Sequence, residues 1–353
     1  MPKDSRSDQT DRIRDLVQSV GGDPDSFDGR LVGELIATSL KMIPDGHDTG
    51  QLKLINAALK EMRYAYTVFN RYAGIRKISI FGSARTPADH PDYEAARTFS
   101  KAMAANAWMS ITGAGDGIMK AGHEGPQREG SFGLSIRLPF ETTANEVIEG
   151  DPKLINFRYF FTRKLMFMSH ADAVAVFPGG FGTQDELFES LVLAQTGKSN
   201  IVPIVLLEGA GGGYWKYWDT YVRKNLLDLG WVSPDDLSLY HIAKNPADGV
   251  EHVLEFYRVY HSSRYVQQDL VLRIKHPLPA AVIEQLNDEF GGLLKSGRIT
   301  PSDGPLAGES DHPDLPRLVL RHTRNHFSTL RRLIDRINEL GSAAAPPLGA
   351  TGS

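Results

Sequence analysis

From Asp172 to Glu189 the chain reads DAVAVFPGGFGTQDELFE, an apolar run that breaks into glycines and re-emerges as an amphipathic segment bearing acids. The order specifies a strand, a loop and a helix. Ala173 to Phe177 has the short, β-prone apolar character of a strand covered on both faces. Pro178 cannot extend a central strand, and Gly179, Gly180 and Gly182 allow a close backbone approach. Leu187, Phe188 and Leu191 return at helical spacing, so the loop opens into a helix N-terminus, where free N–H groups and the macrodipole favour an anion. Thr183 adds a hydroxyl donor. Asp185 and Glu186 are harder to place, because two carboxylates suit the dipole but repel a phosphate. They are either plain helix-start acids or groups with chemistry to perform.

The rest of the composition narrows the classes of ligand. A formal net charge of −4 and a pI near 6.3 provide no polycation for a nucleic-acid backbone, so a small molecule is the expected partner, with no nucleic acid and no membrane. The complete absence of cysteine removes disulfides, thiolate zinc sites and cysteine nucleophiles together. It also points to the cytoplasm. MPKDSRSDQTDR has no apolar core after its charges, and no apolar run approaches the roughly 18 residues that a bilayer span requires.

Along the 353 residues, the first ten read as polar and disordered, and helical patterns follow near 9–20, 29–43 and 50–70. In the third, Leu52, Ile55, Leu59, Met62, Tyr66 and Phe69 form one apolar stripe, suited to packing on the main domain or to a helical oligomer contact. From Lys77 the rhythm becomes β/α: KISIF, a helix at 91–106, AWMSIT, a helix at 116–128 and FGLSIRL. A helix at 154–169, DAVAVF, a helix at 183–196, IVPIVLL, a helix at 214–227, LSLYHI and a helix at 246–260 continue it. This alternation predicts an α/β fold with a doubly wound parallel sheet, whose ligands sit beyond the strand C-termini. The expected organisation is an N-terminal helical extension over 1–74, a doubly wound β/α domain over 75–262, a small C-terminal α+β unit over 263–340 and a disordered tail over 341–353. In the C-terminal unit the expected pattern is a strand at 266–275, a helix at 279–294, a loop at 296–316, LVLRH and a basic helix at 324–340. Its Arg331, Arg332 and Arg336 read as an anionic-ligand surface, a partner surface or a solvated helix face.

Three loops should converge: Gly82-Ser83-Ala84, Gly113-Ala114-Gly115-Asp116-Gly117 and the stretch after Phe177. The second has Ile118 where a dinucleotide fingerprint needs glycine, so a smaller mononucleotide or sugar phosphate fits better, and no cofactor is expected. Arg163 and Lys164 lie one helix and one strand before the glycine loop, which brings cations near the anion site. Arg163 lies among Phe and Met residues, and a buried guanidinium there needs an acidic partner or an anion. Glu141 leaves the third strand toward the same crevice. With Glu186 it places carboxylates beside a phosphate, a combination suited to cleaving a glycosidic bond through an oxocarbenium-like transition state. The eleven histidines show no metal-ligand spacing, His123 and His170 read as structural or exposed, and Ser83 lacks a GxSxG elbow. No metal is required.

Arg163-Lys164 followed by Pro178-Gly179-Gly180-Phe181-Gly182-Thr183-Gln184-Asp185-Glu186 resembles the paired RK and PGGxGTxxE motifs of the LONELY GUY (LOG) family, whose members were long labelled lysine decarboxylases. The resemblance covers about 75–260, and Gly82-Ser83, the Gly113–Met119 segment and Pro139-Phe140-Glu141 agree in order and spacing. It implies a Rossmann-like sheet and hydrolysis of the N-glycosidic bond of nucleoside 5′-monophosphates, AMP-like or cytokinin nucleotides, to free base and ribose 5-phosphate. By it, Arg163 and Glu186 would be catalytic, while Gly179, Gly180, Gly182 and Thr183 would hold the phosphate. Glu141 and Lys164 would contact ribose or phosphate, and Ser83, Gly115 and Asp185 would line the substrate. The compact members have Glu in place of Asp185, GGG in place of Gly113-Ala114-Gly115, and neither flanking segment; larger bacterial nucleosidases carry such flanks. A homodimer or higher homo-oligomer is implied as well. The alternative from another class is a non-catalytic nucleotide or cofactor sensor or carrier of the same superfamily, which would bind without turnover.

Overall fold

The computed structural model describes residues 3–137 and 144–344, so Glu141 and most of the 341–353 tail lie outside the described residues. The chain divides into two compact units, Met1–Arg63 and Tyr64–Ser353. The first contains α1 (Lys3–Ser19), α2 (Phe27–Lys41) and most of α3 (Thr49–Phe69). Residues 3–10, read above as disordered, are the opening turns of α1; Lys, Arg, Asp and Gln there have ordinary helix propensity. Ser26 caps α2 by accepting from the Gly29 N–H, and Arg14 bridges to Asp25 at 2.9 Å, which fixes the turn between the first two helices.

The second unit begins with the end of α3. Phe69 stacks on Phe132 (4.5 Å between centroids) and on His170 (3.9 Å), with Tyr66 edge-on to the same imidazole. Burial holds His170 well below the ordinary imidazole range, at about 4, so it packs as a neutral ring. The β/α part then runs β1 (Lys77–Phe81), α4 (Pro91–Ala105), β2 (Met109–Thr112), α5 (Ile118–Glu124), β3 (Ser131–Ile136), β4 (Leu154–Phe157), α6 (Phe160–Ser169), β5 (Ala173–Val176) and α7 (Phe181–Thr196). It continues through β6 (Ile204–Leu206), α8 (Tyr214–Val222), β7 (Tyr240–Ile242) and α9 (Pro246–Phe256). All seven strands are parallel, in the order β4-β3-β2-β1-β5-β6-β7. Ile78, Ile80, Val174, Val176 and Val205 are fully buried, as strands sandwiched between helices must be. Residues 154–157 are a strand and not the start of a helix. Leu-Ile-Asn-Phe pairs with Gly133–Ile136 at the sheet edge, and the helix starts only at Phe160.

Past Tyr260 come β8 (Tyr260–Val266), β9 (Asp269–Ile274), α10 (Ala280–Phe290), β10 (Leu294–Ser302), β11 (Arg317–His322) and α11 (Phe327–Ala344). The strands form an antiparallel sheet ordered β10-β11-β9-β8. Its apolar residues, Leu270, Leu272, Leu318 and Leu320, share one buried cluster with Ile78, Ile80 and Val205 of the parallel sheet. Part of the stretch read as a loop, 296–302, belongs to β10. That strand occupies an edge, which admits Pro301 opposite Leu318, and carries two register shifts, the second of which spans Gly297.

The three arginines of α11 are engaged within the chain. Arg331 is buried and bonds Asp335 at 2.9 Å, Arg332 reaches Asp235 at 2.7 Å, and Arg336 reaches Glu289 at 2.9 Å. None is an uncommitted cation on a solvated face. No helix of the described residues is long and apolar enough to cross a membrane.

Candidate functional site

The chain leaves β1 toward β2 on one side and returns as β5 on the other, so the ends of β1 and β5 flank the point where strand order reverses. Parallel α/β sheets open a crevice there. The loops after β1, β2 and β5 meet at it. Ser83 N donates to Pro178 O at 3.1 Å, joining the first loop to the third. Ile118 N donates to Ser83 O at 3.0 Å, joining the second to the first. Two glycines allow these approaches. Gly117 has φ +59°, and a Cβ there would lie 2.3 Å from Ser83 O; a Cβ on Gly179 would lie 2.1 Å from Thr183 Oγ1 and 3.0 Å from Ser83 N. Gly180 and Gly182, in contrast, face open space. Gly180 precedes α7 and no side chain caps that helix, so its first N–H groups are left for solvent or a ligand.

A buried polar cluster supports the β2 loop from behind. Asn145 donates from Nδ2 to Gly115 O (2.9 Å) and Ala114 O (3.1 Å), and its own N–H donates to Ala114 O at 2.8 Å. His123, fully buried, lies with Nε2 3.0 Å from Phe132 O and 2.9 Å from Thr112 Oγ1, while Nδ1 is 3.1 Å from Asn145 Nδ2. Burial lowers its pKa, so the ring is neutral, and donation from Nε2 to the carbonyl leaves Nδ1 as acceptor. This histidine is part of the scaffold. Asn145 gave no signal in the sequence, because its partners are backbone carbonyls some thirty residues away.

The charged groups come from α6 and α7. Arg163 lies with its guanidinium 5.3 Å from the Phe160 ring and 5.6 Å from Phe167, and a Cβ on Gly113 would approach its Nη1 to 3.9 Å. Lys164 Nζ is 2.8 Å from Asp185 Oδ2, 3.8 Å from Glu189 Oε2 and 4.0 Å from Glu186 Oε2. Burial works against its charge, yet the hydrogen bond to Asp185 and the charges of Glu186, Asp185 and Glu189 hold the ammonium above its ordinary range. Asp185 is two-thirds exposed and is the close partner of Lys164. Glu186 is different. It is 7% exposed, and its Oε2 has no hydrogen-bond partner among the described residues. Burial pushes its carboxyl up to about 7; Lys164 and Arg163 pull it down, and Asp185 and Glu189 push it further up. Thr183 is buried one turn earlier, in the first turn of the same helix.

Ser83, Gly115, Gly179, Gly180, Gly182 and Thr183 therefore lie on the loops and first helical turn that meet at the sheet reversal, and Lys164, Asp185 and Glu186 cluster in one ion-pair group. Ser83 Oγ accepts from Arg85 N at 3.1 Å. Three residues of the arrangement had no sequence signal as site residues: Gln184, Tyr214 and Trp218, linked by hydrogen bonds to one another and to Gly179 O. The sequence gives 214–227 only as a helix.

Residues 112–253 match the family model described as "possible lysine decarboxylase". A probable cytokinin riboside 5′-monophosphate phosphoribohydrolase of Oryza sativa is 28% identical over 162 residues, 44% of this chain and 68% of that protein. A cytokinin riboside 5′-monophosphate phosphoribohydrolase of Mycobacterium tuberculosis is 27% identical over 171 residues, 47% of this chain and 88% of that protein. One from Arabidopsis thaliana is 33% identical over 96 residues, and the chain spans only 40% of its length. Among solved structures, a molybdenum cofactor carrier protein of Chlamydomonas reinhardtii aligns over 51% of this chain and 96% of its own, with 22% identity and a TM-score of 0.35. Taken with the motif from Pro178 to Glu186, the family match and these relatives show that the chain is similar to proteins of the LONELY GUY (LOG) family.

Proposed function

We propose that this protein hydrolyses the N-glycosidic bond of nucleoside 5′-monophosphates, with purine nucleotides such as AMP as the favoured class. The observation that carries the reading is Glu186: a buried carboxylate whose Oε2 has no hydrogen-bond partner among the described residues and lies 4.0 Å from Lys164 Nζ, in a helix whose uncapped N-terminus follows Gly179 and Gly180. The phosphate is held by the N–H groups around Gly179 to Thr183 and by the Thr183 hydroxyl. Arg163 orients phosphate and carboxylate. As the C1′–N bond lengthens, the base leaves with the bonding pair and positive charge gathers on the sugar. Ionised Glu186 stabilises that charge and aligns the attacking water, whose oxygen bonds to C1′ and whose proton is released as the base is protonated. The products are free base and ribose 5-phosphate. The names of the relatives, which act on cytokinin riboside monophosphates, support the same bond as the target.

Incubation of the full chain with AMP and with isopentenyl-AMP, with the released base followed by chromatography, is the direct test. Release of adenine or isopentenyladenine is expected, and Arg163→Ala should lower kcat/KM by about a hundredfold or more. Binding of nucleotides without any turnover would instead make the chain a carrier or sensor.

A second copy of the chain is proposed to pack on α6 and α7 near the site, where Phe160, Phe161 and Leu165 are about half exposed and Phe181 is 96% exposed. Isolated large apolar side chains are ordinary on a surface, but four on neighbouring turns beside one crevice are not. Sedimentation of the full chain should give a dimer or larger, and Phe161→Asp with Leu165→Asp should shift it toward monomer.

A further inference from the structure

Behind the glycine loop, α8 supplies a chain of hydrogen bonds whose direction is fixed by chemistry. Trp218 Nε1 can only donate, and it donates to Gln184 Oε1 at 3.0 Å. This assigns the other end of the Gln184 amide, Nε2, as donor, and it donates to the Tyr214 oxygen at 2.7 Å. The Tyr214 hydroxyl proton is then left for the Gly179 carbonyl, at 2.6 Å. Each member has one role, and none can reverse without breaking two bonds. The start of α8 is anchored as well: Tyr214 N donates to Glu208 Oε2 at 2.8 Å, Trp215 Nε1 donates to Leu207 O at 2.7 Å, and the Trp215 ring meets Tyr214 edge-on.

A planar trans peptide points its carbonyl and the following N–H in opposite directions. Holding Gly179 O toward α8 therefore turns Gly180 N–H away from α8. The same bond keeps a carbonyl oxygen, which would repel a phosphate, withdrawn from the loop. Without a partner the peptide could rotate, since Gly180 carries no side chain and faces open space.

We infer that Tyr214 is a positioning residue for anion binding: set by Gln184 and Trp218, its hydroxyl fixes the Gly179–Gly180 peptide in the orientation that presents N–H groups to a phosphate. The inference rests on the reading of this loop as a phosphate cradle but not on turnover.

Titration of the full chain with inorganic phosphate by calorimetry is the test, run beside thermal melting. Tyr214→Phe removes only the hydroxyl and should weaken phosphate binding by about fivefold or more, the effect of one hydrogen bond, with the melting temperature little changed. Gln184→Glu is the sharper variant. A carboxylate at 184 still accepts from Trp218 but now also accepts from the Tyr214 hydroxyl and draws it off Gly179, so it should reproduce the loss although every ring remains. If the chain turns over nucleotides, Tyr214→Phe should raise KM for the monophosphate several-fold and leave kcat within about threefold. Phosphate affinity that is immeasurable in the parent protein, or unchanged in both folded variants, would overturn the inference. Weakened phosphate binding in a chain that releases no base would uphold it while removing the hydrolase reading.

Discussion

Glu186→Gln is expected to lower base release by about a thousandfold, on the order of 4 kcal/mol of transition-state stabilisation, while leaving phosphate binding nearly intact. The amide keeps the shape of the side chain but cannot offset a cationic sugar. Because burial pushes the Glu186 carboxyl up to about 7, the parent enzyme should also show kcat/KM rising with pH through that value. Below it, activity should fall by about tenfold per pH unit, as the ionised fraction of a single carboxyl group does. The substrate phosphate titrates nearby, with a second pKa of about 6, but equally for both enzymes. The limb that vanishes in the residual activity of Glu186→Gln therefore belongs to the carboxylate. Asp185→Asn removes a negative charge that raises Glu186 and releases Lys164 toward it, so the limb should move to lower pH. A limb unmoved by either change would take Glu186 out of the mechanism.

The same substitution should make the protein more stable. The folded-state pKa of Glu186 is raised from an ordinary 4.5 to about 7, so the favourable contribution belongs to the protonated form. It is fully present below pH 4.5, is lost as pH rises, and is gone above 7, where the folded chain must hold a buried carboxylate ion. The loss amounts to about 3 kcal/mol at most, from 1.36 kcal/mol per pKa unit. At pH 8 Glu186→Gln should therefore melt several degrees above the parent, and at pH 4 the two should converge. Loss of activity together with a gain in stability distinguishes a group kept for chemistry from one kept for packing.

The parallel sheet was legible because its signals are local. Apolar runs such as KISIF and AVAV alternate with helical stretches of the right length, and each strand registers its own pattern without help from distant residues. Residues 154–157 were misread for a related reason: four residues pairing at a sheet edge carry less periodicity than the aromatic helix that follows them at once. β10 was hidden by Gly297, which falls within a register shift, and by Pro301, which a strand admits here because it lies at the sheet edge. At the site, the glycines and the Arg163-Lys164 and Asp185-Glu186 pairs announced themselves because the chemistry is written in contiguous segments. The members that were missed, Asn145 and Tyr214, act through backbone carbonyls some thirty residues away, and nothing in either neighbourhood names those partners. The arginines of α11 show the same limit. A basic helix looks like an open anion surface until Asp235 and Glu289 arrive from other parts of the chain.

Gly117→Ala should be among the most damaging single-methyl additions in the chain, destabilising it by about 3 kcal/mol or more. The backbone there has φ +59° and ψ −129°, a conformation that L side chains rarely adopt. The new Cβ would lie 2.3 Å from Ser83 O, 2.7 Å from Ala84 C and 2.9 Å from Ala84 O, all backbone atoms that no rotamer change can move. Relief requires the β1 and β2 loops to separate, which also breaks the bond from Ile118 N to Ser83 O. Gly180→Ala is the matching control at the third loop. Its φ of −86° suits any residue and its Cβ meets nothing within 4 Å, so stability should change by less than about 1 kcal/mol. The methyl group nevertheless enters the space before the uncapped α7 N-terminus and should weaken phosphate binding. Thermal melting and phosphate titration of both variants separate the two roles of glycine here: at 117 it lets two loops touch, and at 180 it keeps room for an anion. A Gly117→Ala protein that melts within a degree or two of the parent would mean that the β1 and β2 loops are not held this closely together.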